Sequence, residues 1–425
     1  MLNINDLHIE EEIMPLFDST FNFYSGQAVR SMLGSPLGSE AAILARQQLL
    51  NGFIANRNVL KDYSFSRFNL TEIHDFLESF AVGSLTGRKL RWKLTFSEKE
   101  RLQKRGRLIL LIRLFYKIQT TYTSKIDRSL FPPAYATELQ QINQFFDGFN
   151  LAHYEAIFQK KTKLGVGDIV ELMKIISEKM TNGQIGAFWE RWFVFEACLS
   201  ISNGIVKHGF VFPSFTNGPF SVEGIYHPFL KNPVKNDINA ESNVILLTGP
   251  NMSGKSTLLK AISICVYLGH TGLAVPASKA SMPYFSTISV AINLTDSIVS
   301  GYSHFMSEIV TLKNVVTAAS GKEKCFAVFD ELFRGTNIED ALEISTATIQ
   351  GLANFPASLF FISTHLHQLK EIEAVQKDKA ATWYIDCELK NDLPVFNYKL
   401  KKGWSDMRVG RILFKKEGLY KMLAR

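Results

Sequence analysis

The chain has 425 residues, 46% hydrophobic and 20% charged, the composition of a soluble globular protein of two or three domains, each able to bury its own core. Its formal net charge of +7, from 47 Lys and Arg against 40 Asp and Glu, suits a polyanionic partner without demanding one. Four scattered cysteines with no C-x-x-C pair argue against structural zinc and disulfides and for a reducing compartment. In chain order, the first twenty residues carry acidic groups and no signal pattern. The apolar run Leu108–Ile112 is far too short to cross a bilayer. A cytoplasmic protein with no membrane partner is expected.

Residues 1–210 lack strand–loop–helix alternation and show helical periodicity instead. One apolar set is Ala42, Ile43, Leu49, Leu50 and Phe53; another is Leu139, Ile142, Phe145, Phe146 and Phe149. Both predict core-facing helices. Between Thr86 and Lys117 eleven Lys and Arg residues face only Glu98 and Glu100, with Trp92 and Phe96 interleaved. A helix and loop of this kind can contact a phosphate backbone, positioning it without reading sequence. Arg88, Lys89, Arg91, Lys93, Lys104, Arg105 and Arg107 are the candidate DNA contacts. The same charges would also suit a solvated helix face.

The second half changes character. The apolar run Val244–Leu247 predicts a strand, and Leu258–Ile264 a helix. Between them stands Gly249-Pro250-Asn251-Met252-Ser253-Gly254-Lys255-Ser256-Thr257, the G-x-x-x-x-G-K-[ST] spacing of a P-loop. Glycines let consecutive N–H groups wrap a polyphosphate, and the helix N-terminus adds positive potential. Lys255 would reach the outer phosphates of ATP and the Ser256 hydroxyl would hold Mg²⁺. A small-residue loop from Asp296 then leads to a helix over Ile309–Val316, with Ser303 as its expected cap.

The apolar strand Cys325–Phe329 ends in Asp330-Glu331, a Walker B pattern. Asp330 can hold Mg²⁺ through water, and Glu331 can orient or deprotonate the attacking water. A third apolar strand, Leu359–Ser363, ends in Thr364-His365. His365 then stands at the edge where an open α/β sheet binds its ligand.

Together these stretches resemble the MutS family of DNA mismatch-repair ATPases. Thr248 to Thr257 looks like the family's P-loop, including Pro250-Asn251-Met252. Ser303-x-Phe305-Met306-x-Glu308 resembles its Ser-loop, Asp330-Glu331-x-x-Arg334-Gly335-Thr336 its Walker B and signature run, and Thr364-His365 its histidine switch. Tyr226-His227-Pro228 and Asn236-Asp237 resemble its lead-in strand and adenine loop, and Tyr398–Gly403 its closing hairpin. A looser likeness to its helical core runs from Arg30-x-Met32-Leu33 to Arg46 and from Trp192 to Phe212. The chain departs from the pattern at Phe333 and Asn337, where mismatch-repair members usually have Gly and Ser, and Pro233 stands near a common aromatic position.

The resemblance implies an α + α/β multidomain chain: a helical core/lever domain over 1–215, then an ABC-type P-loop ATPase domain over 216–425 with a mixed, mainly parallel sheet. It implies a DNA-modulated, Mg²⁺-dependent ATPase acting in mismatch repair or a related repair or recombination process. Two copies would pair through their ATPase domains, Glu331 and His365 acting in one chain and Ser303 reaching in from the other. A repair-protein partner is also implied. The expectation includes no mismatch-reading domain ahead of the helical core and no terminal helix-turn-helix. The alternative is a nucleotide-gated binding module or adaptor for branched DNA or a protein partner.

Overall fold

In a computed structural model the protein is described over residues 2–80, 87–160, 163–292, 304–333, 335–390, 393–407 and 409–424. The chain divides into two compact units. One is Met14–Leu33 with Ala45–Lys207; the other is Met1–Ile13 with Gly34–Leu44 and His208–Arg425. The last of these boundaries falls between Lys207 and His208, and two early segments, Met1–Ile13 and Gly34–Leu44, group with the C-terminal residues.

The first unit is helical. Its helices are α1 (Phe23–Leu33), α2 (Glu40–Ala55, which starts in the second unit), α3 (Arg57–Leu60), α4 (Arg67–Glu78) and α5 (Gly87–Phe96). They continue with α6 (Glu98–Lys117), α7 (Pro133–Phe145), α8 (Leu151–Gln159), α9 (Val166–Thr181) and α10 (Gln184–His208). Local chemistry sets several starts: Ser97 accepts the Glu100 N–H at 3.4 Å to cap α6, and Pro133 opens α7, where no N–H is needed. The predicted apolar set from Leu139 to Phe149 is buried throughout, although Phe146 and Phe149 lie beyond the end of α7. Helix α10 is buried along most of its length, from Ile185 to Ile205, with Glu190 and Lys207 exposed. Its Phe188 stacks on Phe145 at 4.1 Å between centroids, and its Trp192 on Phe195 at 4.9 Å.

One carboxylate sits inside this helical core. Glu196 of α10 accepts from the Phe21 N–H (2.5 Å), the Asn22 amide (2.6 Å) and the Ser25 hydroxyl (2.9 Å). Burial pushes its pKa up, and the three donors oppose the shift. The cluster pins the chain ahead of α1 to α10, because an unpaired buried carboxylate is costly. One turn pair further along, Gly204 lets the backbone pass against the helix.

The second unit holds two sheets. Its strands are β1 (Leu2–Asn3), β2 (Ser214–Phe215), β3 (Ser221–Ile225), β4 (Asn236–Asn239), β5 (Val244–Thr248) and β6 (Lys279–Met282). Then come β7 (Thr287–Ala291), β8 (Cys325–Phe329), β9 (Leu359–Ser363), β10 (Ala380–Lys390) and β11 (Leu393–Lys402). The larger sheet has the order β1-β7-β8-β9-β5-β10-β11, parallel throughout except for the β10–β11 hairpin. Strands β5, β7, β8 and β9 are buried at every residue, as parallel strands covered on both faces must be. The smaller sheet runs β2-β6-β3-β4. Helices α11 (Lys255–His270), α12 (His304–Ser320), α13 (Ile338–Leu352), α14 (Glu373–Gln376), α15 (Val409–Lys416) and α16 (Leu419–Leu423) complete the unit. This is a mixed α/β part following a helical one, with a mainly parallel larger sheet.

The early segments are tied in by hydrogen bonds. Strand β1 pairs with β7, Leu2 opposite Ile288, and Asp6 accepts the Ile292 N–H at 2.7 Å. Leu37 donates its N–H to His270 O (2.8 Å) and accepts from the Tyr284 hydroxyl (3.2 Å). His270 itself is neutral: its Nδ1 donates to Val266 O, its Nε2 accepts the Phe285 N–H, both at 2.8 Å, and burial holds its pKa down at about 4.

At Gly204 an added Cβ would stand 2.4 Å from Leu16 O, a backbone atom that cannot step aside. Gly204→Ala should therefore destabilise the helical unit by about 1–3 kcal/mol, the usual range for overpacking. Urea denaturation followed by circular dichroism checks this; an unchanged midpoint would show that the backbone relaxes freely there.

Candidate functional site

Strands β8, β9 and β5 are neighbours and parallel, so their C-terminal ends share one edge. That edge is where open α/β sheets bind ligands. It carries the P-loop after β5, Asp330-Glu331 after β8 and Thr364-His365 after β9. The three sequence motifs, more than a hundred residues apart at the extremes, thus converge.

The loop leaves β5 at Gly249 (φ 137°) and enters α11 through Gly254 (φ 98°), with Met252 also at positive φ and exposed. Both glycine positions need that freedom. Ser256 and Thr257 are exposed in the first turn of α11, whose leading N–H groups have no intrahelical partner. Lys255 is only 5% exposed and donates from Nζ to Gly249 O (2.9 Å) and Pro250 O (3.3 Å). Burial pushes its pKa down, while Glu331 and Asp330 hold it up. The Ser253 hydroxyl is buried, facing Gly249, with no hydrogen-bond partner. Buried polar atoms are rarely left so, and a phosphate-sized anion would satisfy it.

The carboxylates are fixed by their neighbours. Asp330 donates its N–H to Ala291 O at 2.9 Å. Ser363, the last residue of β9, donates its hydroxyl to Asp330 Oδ1 and accepts the Glu331 N–H at 2.9 Å. Glu331 (φ 54°) and Phe333 (φ 64°) both occupy the left-handed region, a strained backbone that persists where surroundings over-determine it. Thr364 donates its N–H to Leu247 O (3.1 Å), locking the histidine-bearing turn to β5. His365 is exposed and lines a cavity of about 220 Å³ with Asn251, Trp404, Met407 and Leu413.

A second cavity, about 450 Å³, opens on the other side of the loop, lined by Tyr226, His227, Asn236, Met252, Thr257 and Tyr398. Tyr398 has φ 54° and lays its ring against Gly254, 3.4 Å from where a Cβ would stand. Asn236 holds it there, donating to Tyr398 O (3.0 Å) and accepting the Leu400 N–H (2.8 Å). Burial pushes the His227 pKa down. The motif reading notes Asn236 and Tyr398 only as parts of larger stretches. It does not find Ser363 as a bridge, for which a polar residue closing an apolar strand is the only signal.

Ser303 and Arg334 lie outside the described residues. The helix that follows Ser303 is described, and it reaches the Walker B loop. Glu308 is 3% exposed and accepts the Phe333 N–H at 3.0 Å, while the rings of Phe305 and Phe333 stand 5.9 Å apart. Burial pushes the Glu308 carboxyl up to about 7.

The basic segment forms α5 and α6. Arg88, Lys89 and Arg91 are exposed on α5, while Lys93 pairs with Glu100 at 2.6 Å. Lys104 is half-buried, and burial pushes its pKa down. Arg105 donates to Leu164 O (3.0 Å), and Arg107 lies 3.9 Å from Glu72 and over the Phe76 ring. The α6 cations thus serve packing as well as charge.

Comparison with known proteins agrees with the motif set. Residues 245–420 match the family model of MutS domain V. The DNA mismatch repair protein MutS of Fusobacterium nucleatum subsp. nucleatum is 28% identical over 328 residues, covering 74% of this chain and 36% of its own. That of Persephonella marina is 28% identical over 273 residues, 62% of this chain and 31% of its own. That of Bacillus cereus is 33% identical over 168 residues, 40% and 19% respectively. The chain is MutS-like, and it spans about a third or less of the length of these relatives. Among the described residues no helix is long and apolar enough to cross a membrane.

Glu308 makes stability depend on pH. Its folded pKa of about 7 exceeds the ordinary 4.5, so between those values the folded state binds more protons than the unfolded one. Its contribution is largest below about pH 4.5 and is lost as pH rises to about 7. Glu308→Gln keeps an acceptor for the Phe333 N–H and should flatten the fall in urea midpoint across that window. Equal falls in variant and parent would remove Glu308 as the cause.

Proposed function

We propose that the C-terminal unit is an ABC-type P-loop ATPase, and that its cycle controls the protein's contacts with DNA in mismatch repair or a related repair or recombination process. The observation that carries this is the convergence of loop, paired carboxylates and histidine turn at the ends of β5, β8 and β9. The N–H groups between Gly249 and Thr257 would cradle the phosphates of ATP, with the unpartnered Ser253 hydroxyl as a further donor. Lys255, already desolvated, would exchange its loop carbonyls for phosphate oxygens. Such a charge-assisted bond is strong in a site of low dielectric.

Ser256 and, through water, Asp330 would hold Mg²⁺, which neutralises phosphate charge when bound with the nucleotide. Glu331 would orient the attacking water and take its proton as the water oxygen bonds to the terminal phosphorus and the bond from that phosphorus to the bridging oxygen breaks, the oxygen leaving with its electron pair on ADP. His365 would sense the terminal phosphate. Tyr398 and the Tyr226-His227 wall would receive the base, filling the role that Pro233 cannot. Ser303 of a second copy would complete each site, giving a homodimer through the ATPase units. The DNA reading is supported by the exposed cations of α5 and by the name that the relatives carry, DNA mismatch repair protein.

Glu331→Gln should bind ATP as the parent does and lose turnover by about 10²-fold or more, the usual worth of a general base. Single-turnover and steady-state phosphate release, measured beside nucleotide titration, check it. If the parent binds ATP without turning it over, the binding-module alternative holds instead. Lys255→Ala should weaken triphosphate binding by about tenfold to a hundredfold, from the loss of a charged hydrogen bond. Unaltered affinity would place the phosphates elsewhere.

A further inference from the structure

Helix α5 has two unlike faces. Leu90 and Leu94 are buried against the unit. On the opposite side, spaced four apart, stand Arg88, Trp92 and Phe96. Trp92 is 71% exposed and Phe96 73%, with ring centroids 4.9 Å apart. Trp189, Trp192 and Trp383 are buried and Trp404 is half-buried, so Trp92 is the outlier. A single exposed aromatic needs no explanation, but a contiguous pair does.

The surrounding charge is mostly positive, with exposed Glu98 at the start of α6 the nearest free-standing acid in sequence. Arg88, Lys89 and Arg91 are exposed and have no carboxylate partner among the described residues. The nearby acid Glu100 is already taken by Lys93, and Arg101 turns back to the carbonyls of Leu94 and Thr95 (3.1 and 3.4 Å). An aromatic pair flanked on its own helix by the exposed cations Arg88, Lys89 and Arg91 complements a polyanion that also offers flat apolar faces.

We propose that the outward face of α5 is a stacking platform for single-stranded nucleic acid. The proposal rests on the nucleic-acid reading above and narrows it. Trp92 and Phe96 receive the planes of unpaired bases, while Arg88, Lys89 and Arg91 take the adjoining phosphates. Base–aromatic stacking of this kind tolerates any sequence. Intact duplex needs only the cations, because its base faces are hidden in the stack.

The test uses the full chain with an oligo-dT strand, an oligo-U strand and a DNA duplex of matched length at one salt concentration. Single strands should bind more tightly than duplex and quench tryptophan fluorescence; the dT and U arms tell DNA from RNA. Trp92→Leu with Phe96→Leu should lose about tenfold or more in single-strand affinity, as stacking losses do, with duplex affinity kept. Trp92→Phe should keep single-strand affinity while abolishing the quench. Arg88→Ala with Lys89→Ala and Arg91→Ala should weaken single strand and duplex alike, and its salt slope should fall.

Single-strand affinity unchanged in the leucine variant would overturn the platform and leave the DNA reading standing. So would equal losses for duplex and single strand. No binding of any nucleic acid at low salt would overturn both readings and favour a protein partner for this face.

Discussion

The site depends on one hydroxyl. Ser363 lies at the end of β9, the strand between β8 and β5, and it both donates to Asp330 and accepts from the backbone of Glu331. Because Ser363 is also opposite Leu247 in the sheet register, this single side chain fixes the paired carboxylates relative to the root of the P-loop. Removing a partner from a buried donor costs about 1–3 kcal/mol, comparable to the backbone strain at a left-handed residue such as Glu331. The bridge and the strain are therefore matched in size, and the first holds the second in place.

Around that bridge the P-loop ammonium is held by neutral oxygens. Lys255 rests on carbonyls of its own loop, and the carboxylates raise its pKa against the effect of burial. An ammonium in this setting is held by dipoles that a more negative group can displace. On the far side of the Walker B loop, Glu308 receives the Phe333 N–H, so the helix entering from Ser303 is in contact with the strained turn.

The motifs that gather at one sheet edge were more legible than the contacts that position them. P-loop, Walker B and histidine turn could be read because each needs several residue types within a few positions, next to an apolar strand. The apolar sets ending at Phe53 and Phe149 could be read because burial imposes a period. What escaped depends on pairs distant in sequence: Ser363 with Asp330, Asn236 with Tyr398, Glu308 with Phe333. Tyr398 looks like any residue of an alternating hairpin until its backbone turns left-handed against Gly254. Charge counting placed Arg88 and Arg105 in one group, although one is exposed and the other donates to Leu164 O. Net charge records number, whereas burial decides which cations remain available.

The edge strand β1 carries a consequence for how the molecule is made. Leu2 pairs with Ile288, and Asp6 with Ile292, 286 residues away. During synthesis the Leu2–Asp6 segment must wait until nearly three hundred further residues have emerged before its partner strand exists. The helical unit, built largely from contacts within Met14–Lys207, can condense during that interval. The α/β unit is thereby a late-closing structure, in which the early β1 segment pairs with β7 only after the much later strand exists. Pairings over such sequence distances are slow to form. Until β1 arrives, the outer rim of β7 is a bare template for the wrong strand.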